Sequence, residues 1–252
     1  MKAMVFAAGL GTRLQPLTLH RPKALVEVGG IPMLARVLLR LRSIGVNEVV
    51  INVHHLAPMI VDYLKANDDF GMTVYISDES DRLLDTGGGI LRARRWLEGS
   101  EPFIVHNADV LTDADIASMY RQHVATGADA TLLVSERHSS RQLVFDKVTD
   151  RLVGWVNNST GETLPDGFDV SLSSLRRLAF GGVHIISPSV FASLAKYGDE
   201  VGDKFSITPY YLSVCDTIDI RGYIDSRSSM WYDIGRTATL AAADDECRRR
   251  GI

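Results

Sequence analysis

The first half of the chain alternates short, wholly apolar runs with segments whose apolar residues recur every three or four positions, and that alternation leaves few folds open. Residues 3–8, "AMVFAA", carry no polar side chain, as a strand buried on both faces requires. Leu34, Val37, Leu38, Leu41 and Ile44 then keep helical spacing, with Pro32 as a favoured first helical residue and Gly45 as a stop. "NEVVINV" reads as the next strand, residues 58–66 as a helix, "MTVYIS" as a strand, residues 89–97 as a helix, and "PFIVH" as a strand running into "NAD". A helix over 114–125 and the strand "ADATLLVS" continue the rhythm. Strands and helices in strict turn predict an α/β fold whose mixed sheet is mainly parallel and flanked by helices.

Beyond Arg137 the rhythm changes. "RQLVFD", "RLVGWVN" and "LAFGGVHII" predict a small antiparallel annex over the ligand edge of the sheet, with the polar stretch 158–174 as a loop or lid. Two helical stretches are expected to flank a strand at 217–223, followed by a last short strand in "MWYDIG" and a closing helix over 237–250. A chain of 252 residues with 46% hydrophobic content suits one domain around one large core. The net charge of -4 gives no general pull toward nucleic acid, and no apolar run approaches the roughly 18 residues of a membrane span. Cys215 and Cys247 stand in no metal-binding spacing, which suits a cytoplasmic protein. His184 and the pair His54 and His55 have no third ligand nearby in the sequence, so no metal site is expected at them.

The ligand of an open α/β sheet sits beyond the carboxyl ends of its strands, and here the first strand runs into "AAGLGTRLQPLTLHRPK". Gly9 and Gly11 let backbone N–H groups approach an anion, Thr12 adds a hydroxyl, and Arg13 adds a fork of donors suited to phosphate. A dinucleotide fingerprint would need a third glycine where Leu14 stands and an acid at the end of the second strand, which instead reads Asn52, Val53, His54, His55. Nor does the stretch match the Walker loop, since Lys23 lies far past the glycines and is followed by Ala24. What remains is a glycine turn with two cations, Arg13 and Lys23, on one long loop, an arrangement suited to a triphosphate whose charge is neutralised as it reacts.

G-x-G-T-R followed by P-K resembles the signature of the sugar-phosphate nucleotidyltransferases, and the resemblance extends over nearly the whole chain. "NAD" resembles the family's G-D segment and "WYDIG" its D-x-G segment, which implies Asp109 and Asp233 as ligands of Mg²⁺. "LDTGGGI" resembles the segment that packs against base and sugar. The resemblance thus implies a Rossmann-like domain spanning 1–252, with a nucleotide-binding half at 1–136, a sugar-binding annex that also brings the second metal ligand at 137–235, and a C-terminal helix at 236–252. It implies Arg13, Lys23 and Asp109 as catalytic residues. Ala7, Ala8, Gly9, Gly11, Thr12, Arg13, Lys23, Glu79, Asp85, Thr86 and Gly87 would bind the nucleotide, with Asp78 and Glu79 offering acceptors for the N–H groups of guanine or uracil. Gly88, Asn107, Arg141, Asn157, Gly182 and Lys204 would bind the sugar phosphate. The implied reaction converts a nucleoside triphosphate and a sugar 1-phosphate into a nucleoside diphosphate sugar and pyrophosphate, with neither nucleic acid nor membrane as partner.

One departure from the family's pattern is chemical. Many relatives carry E-K-P on the strand after the central hairpin, and Asn157 and Asn158 stand there instead. Asn158 cannot neutralise a phosphate, so Arg141 or Lys204 is expected to do so. The "DTGGGI" form most resembles uridylyltransferases acting on N-acetylmuramic acid 1-phosphate and guanylyltransferases acting on mannose or heptose 1-phosphates, so UTP and GTP both stay open. A phosphocholine cytidylyltransferase, a nucleotide-sugar sensor without catalysis and a dinucleotide-dependent oxidoreductase are the competing readings.

Overall fold

The computed structural model describes residues 1–227 and 229–252. β1 (Lys2–Phe6) leads into a long loop with two short 3₁₀ turns, at Thr12–Leu14 and Lys23–Leu25, and a small hairpin of β2 (Glu27–Val28) and β3 (Ile31–Pro32). α1 (Met33–Ser43), β4 (Glu48–Val53), α2 (Ala57–Ala66), β5 (Thr73–Asp78), α3 (Asp85–Arg92), α4 (Arg94–Leu97) and β6 (Phe103–Asn107) follow. β7 (Val110–Thr112), α5 (Ile116–Thr126) and β8 (Ala130–Ser135) complete the first half. The second half comprises β9 (Arg141–Asp146), β10 (Leu152–Asn157), β11 (Thr163–Leu164), β12 (Leu175–Ile186), α6 (Val190–Val201), α7 (Ile207–Val214), β13 (Ile220–Tyr223), β14 (Trp231–Asp233) and α8 (Thr237–Arg250).

The main sheet runs β11-β10-β9-β12-β6-β1-β4-β5, with β8 pairing to β12 and β13 to β8. β1 lies parallel to both β4 and β6, and β4 parallel to β5, which gives the expected parallel half. β12 joins the halves: its last residues run antiparallel to β6 and its first antiparallel to β9. Apolar side chains on both faces explain the layering. Ala3 and Val5 join a core with α1, α2 and α5, whereas Met4 between them joins a second core with α3, α4, α6 and α7. A third, smaller core holds Leu14 and Val26 of the opening loop against Ile234 and residues Ala243 and Cys247 of α8.

Three local expectations need correction. α3 begins at Asp85, not near Gly89, and so takes in the whole glycine run. The stretch between the first strand and Pro32 is not a bare loop, because Gly29 and Gly30, with φ of 59° and 75°, close the β2–β3 hairpin. Both helices α6 and α7 precede the strand at 220–223. Residues 158–174 lie against β10 as a loop that includes β11, paired antiparallel to it, and a Cβ at Gly154 would meet the Phe168 ring at 2.9 Å.

Candidate active site

The registers bring the carboxyl ends of three strands to one level: Phe6 of β1 lies opposite Asn52 of β4 and Asn107 of β6. Beyond them opens a cavity of about 350 Å³. Ala7, Ala8, Gly9 and Lys23 line it from the opening loop, Asp85 and Thr86 from the start of α3, and Asn107 and Asp109 from the end of β6. Phe6, Ala24, Asn52, Leu83, Ala108 and Lys204 complete its lining.

The opening loop is folded so that Lys23 reaches this edge, while Arg13 is exposed, lies outside the cavity lining and approaches Gly235. Gly11 takes a left-handed φ of 66° while its carbonyl accepts from Leu14 N at 2.9 Å and from Thr18 Oγ1 at 2.7 Å, and Leu14 is buried below. The chain then returns at Lys23, whose ammonium pairs with the Asp109 carboxylate. A Cβ at Gly9 would meet nothing nearer than Lys23 Cδ at 3.8 Å, so the backbone there faces open space beside a cation.

The second acid arrives from the far end of the chain. β14 pairs antiparallel with β7, Asp233 opposite Val110, and Ile234 N donates to Asp109 O at 3.0 Å. Asp233 Oδ1 accepts from Gly235 N at 2.8 Å. A Cβ on Gly235 would lie 2.6 Å from an Arg13 guanidinium nitrogen and 2.8 Å from Asp233 Oδ1, so glycine lets these two charged groups converge. Arg137 lies outside the cavity lining but near enough to Asp233 to feel its charge. Its guanidinium stacks 3.6 Å above the Trp231 ring and donates to Phe180 O at 2.5 Å. Burial lowers its pKa, partly offset by the Asp233 charge.

Asp109 and Asp233 offer only oxygen donors, and no cluster of three or more His, Cys, Asp or Glu side chains exists among the described residues. That donor set fits Mg²⁺, which takes one or two carboxylates and completes its shell with water and substrate phosphates, and it does not fit a closed zinc site.

Several expected ligands lie elsewhere. Glu79 is fully buried and both its oxygens are engaged by protein, one by Asn52 Nδ2 at 2.9 Å and the other by Leu84 N at 3.0 Å, so it cannot read a base. Asp78 lies outside the cavity lining, is exposed, and accepts from Ser80 N at 2.8 Å. Gly87 and Gly88 face the 203–205 segment and not a ligand: their N–H groups donate to Phe205 O, and a Cβ on Gly88 would fall 2.0 Å from Asp203 O. Gly11 and Thr12 belong to the turn itself and do not line the cavity. Arg141 and Asn157 pair across β9 and β10, also outside its lining, whereas Lys204 lines it. Gly182, with φ of 73°, marks the bend of β12 and abuts the Asn107 side chain. Asn158 turns away to Ser139 O and Gln142 Oε1, each at 2.8 Å. His184 is buried, its Nδ1 2.7 Å from the Tyr211 hydroxyl. Sequence reasoning missed Asn52 and Arg137, which carry no motif of their own and acquire meaning only from strand neighbours.

The model of the family described as nucleotidyl transferase matches residues 2–148. Over 248 residues the chain is 31% identical to an N-acetylmuramate alpha-1-phosphate uridylyltransferase of Caulobacter vibrioides, covering 96% of this chain and 95% of that protein. It is 33% identical over 253 residues to the protein of the same description from Neisseria meningitidis, with 96% of each covered. A crystal structure of a UDP-glucose pyrophosphorylase complexed with UDP-glucose shares the fold at a TM-score of 0.79 and 18% identity, covering 99% of this chain and 98% of that one.

Proposed function

The chain belongs to the nucleotidyl transferase family, and from that premise we propose that it joins a nucleoside triphosphate to a sugar 1-phosphate, releasing a nucleoside diphosphate sugar and pyrophosphate. The observation that carries the reading is the convergence at one cavity edge of Gly9, Lys23 and Asp109, with the strand of Asp233 hydrogen-bonded alongside. UTP and N-acetylmuramate α-1-phosphate are the first pair, because two relatives spanning almost the entire chain are described by that activity.

A phosphate oxygen of the sugar phosphate attacks the α-phosphorus in line. The new O–Pα bond forms as the bond from Pα to the bridging oxygen breaks, and pyrophosphate leaves with the electron pair. The nucleophile is already an anion, so no general base is needed, and the protein's task is to bring two anions together and hold the developing charge. The backbone at Gly9 and the Lys23 ammonium receive the phosphates, Lys23 toward Pα, while Arg13 meets the leaving pair. Asp109 and Asp233 would hold Mg²⁺, which when bound supplies charge neutralisation on the phosphoryl oxygens. Lys204, on the cavity wall, takes the sugar phosphate in place of the lysine that Asn158 cannot replace. Such a product serves cell-envelope or glycan synthesis in the cytoplasm.

The test is a matrix of UTP, GTP, CTP and dTTP against N-acetylmuramate, mannose and glucose 1-phosphates and phosphocholine, read by pyrophosphate release. Release with UTP and a sugar 1-phosphate is expected. Release only with CTP and phosphocholine, or nucleotide binding with no release anywhere, would overturn the proposal in favour of a cytidylyltransferase or a sensor. Lys204→Ala should raise the sugar-phosphate KM about tenfold and leave that of the nucleotide nearly unchanged.

A further inference from the structure

At the cavity wall, three segments distant in sequence are tied by hydrogen bonds that run in one fixed direction. Asn52, at the end of β4, is 2% exposed and lines the cavity. Its Oδ1 accepts from Ala7 N at 2.8 Å, and its Nδ2 donates to Glu79 Oε1 at 2.9 Å. Glu79 is 0% exposed, and its Oε2 accepts from Leu84 N at 3.0 Å, immediately before α3. The Glu79 backbone is itself fixed, N to Val53 O at 2.8 Å and O to His54 Nδ1 at 2.6 Å.

Each bond dictates the next. A backbone N–H only donates, so Asn52 must turn its oxygen to Ala7, which points its nitrogen at residue 79. That residue must then accept from Asn52 and also from Leu84 N–H, and a carboxylate of this length accepts at both ends. Glutamine there would set its own –NH₂ against one of the two donors, burying an unpaired polar group. Gly89 packs close to this pair, since a Cβ there would lie 3.0 Å from Glu79 Oε1 and 3.0 Å from Phe6 Cε1.

We propose that Glu79 is a positioning residue for the nucleotide: acting through Asn52, it sets the distance between the peptide at Ala7, where the phosphate loop begins, and the start of α3, where Asp85 and Thr86 face the cavity. The nucleoside triphosphate sits between these two walls, and the inference rests on the reaction proposed above. Asn52 and Glu79 act on the nucleotide wall directly, and on Lys204 only at one remove, because Phe205 N donates to Leu84 O at 3.1 Å.

The geometry also names its own rescue. With Glu79→Gln and Asn52→Asp combined, the side chain at 52 accepts twice, and the one at 79 donates to it while accepting from Leu84 N, so every bond of the chain is restored with the same net charge. Steady-state kinetics with UTP and N-acetylmuramate α-1-phosphate test this. Each single variant should raise the UTP KM about tenfold and the sugar-phosphate KM by clearly less, whereas the double variant should return the UTP KM to within about threefold of the wild type.

A folded Glu79→Gln protein with the wild-type UTP KM would overturn the proposal, as would a double variant no better than the worse single one. If a single variant fails to fold by circular dichroism, the double variant decides: folding with a near-wild-type UTP KM supports the chain of bonds, and unfolding or a persistently raised KM overturns it. Should the wild type release no pyrophosphate from any pair, it is the reaction that fails. The same three variants are then compared by calorimetric UTP binding, where loss in the singles and recovery in the double is again the supporting result and its absence the opposing one.

Discussion

Lys23 has 11% of its side chain exposed and lies against Asp109, itself 27% exposed. On the proposed reaction, removing the ammonium takes away a charge that the reacting phosphates need and leaves an acid at the same wall without its partner. Lys23→Ala should therefore lower kcat by about a hundredfold or more with a smaller change in the nucleotide KM, and Arg13→Ala should act in the same direction. Both are read by pyrophosphate release under saturating substrate. The acids make a separate prediction. Chelation should abolish turnover and added Mg²⁺ restore it, while Asp233→Asn should raise the Mg²⁺ concentration for half-maximal activity by about tenfold. A variant with the wild-type Mg²⁺ requirement would remove Asp233 from the ligand set.

At the scale of elements, α3 is a helix made where its residues least favour one. Three glycines at its third to fifth positions carry a propensity penalty of about 1 kcal/mol each. Packing compensates, because Gly87 and Gly88 let the 203–205 segment approach closely enough for Phe205 O to accept from both N–H groups, at 2.9 and 3.2 Å. Gly88→Ala should cost about 2 kcal/mol or more, since the clashing atom is backbone and not the end of a flexible side chain. Gly127→Ala, with φ of 65° and open space around it, should cost only about 1 kcal/mol. Urea unfolding of the two variants checks the difference. The same helix marks where the sequence was opaque. β1, β4 and β6 were readable because their residues are apolar on both faces, but a glycine run reads as loop, and only the tertiary contact makes it helical. The β2–β3 hairpin was readable in principle, Gly29-Gly30 being a two-residue turn signal between apolar residues. Glu79 was misread for a deeper reason: the partner that turns it inward, Asn52, sits on the neighbouring strand, and no local pattern announces the pair. Lys23 and Asp109 could be joined beforehand only through family-like motifs, since spacing alone does not relate a loop to the end of a strand 86 residues later.

The whole molecule has a pH dependence built into its interior. Burial holds His106 and His123 near a pKa of about 4 and His184 near about 3, so all three are neutral in the fold. In the unfolded chain each returns to an ordinary pKa of about 6.5. Below that value the unfolded state takes up protons that the folded state refuses, so stability present at neutral pH is lost progressively as the pH falls toward 4. The urea midpoint should be flat from about pH 8 to 7 and decline from about pH 6.5, earlier than carboxylate protonation would begin to act. A midpoint constant down to pH 5 would contradict this.

The last strand of the chain, β14, borders the cavity edge, and α8 behind it pins Leu14 of the opening loop through their shared core. A ribosome must therefore deliver the chain through α8 before the cavity edge has its second acid and the opening loop its support. On the proposed chemistry, a stalled or clipped product would be a vessel open on one side: it would carry the glycine turn and Lys23, yet lack the acid and the buttress that make bound triphosphate react.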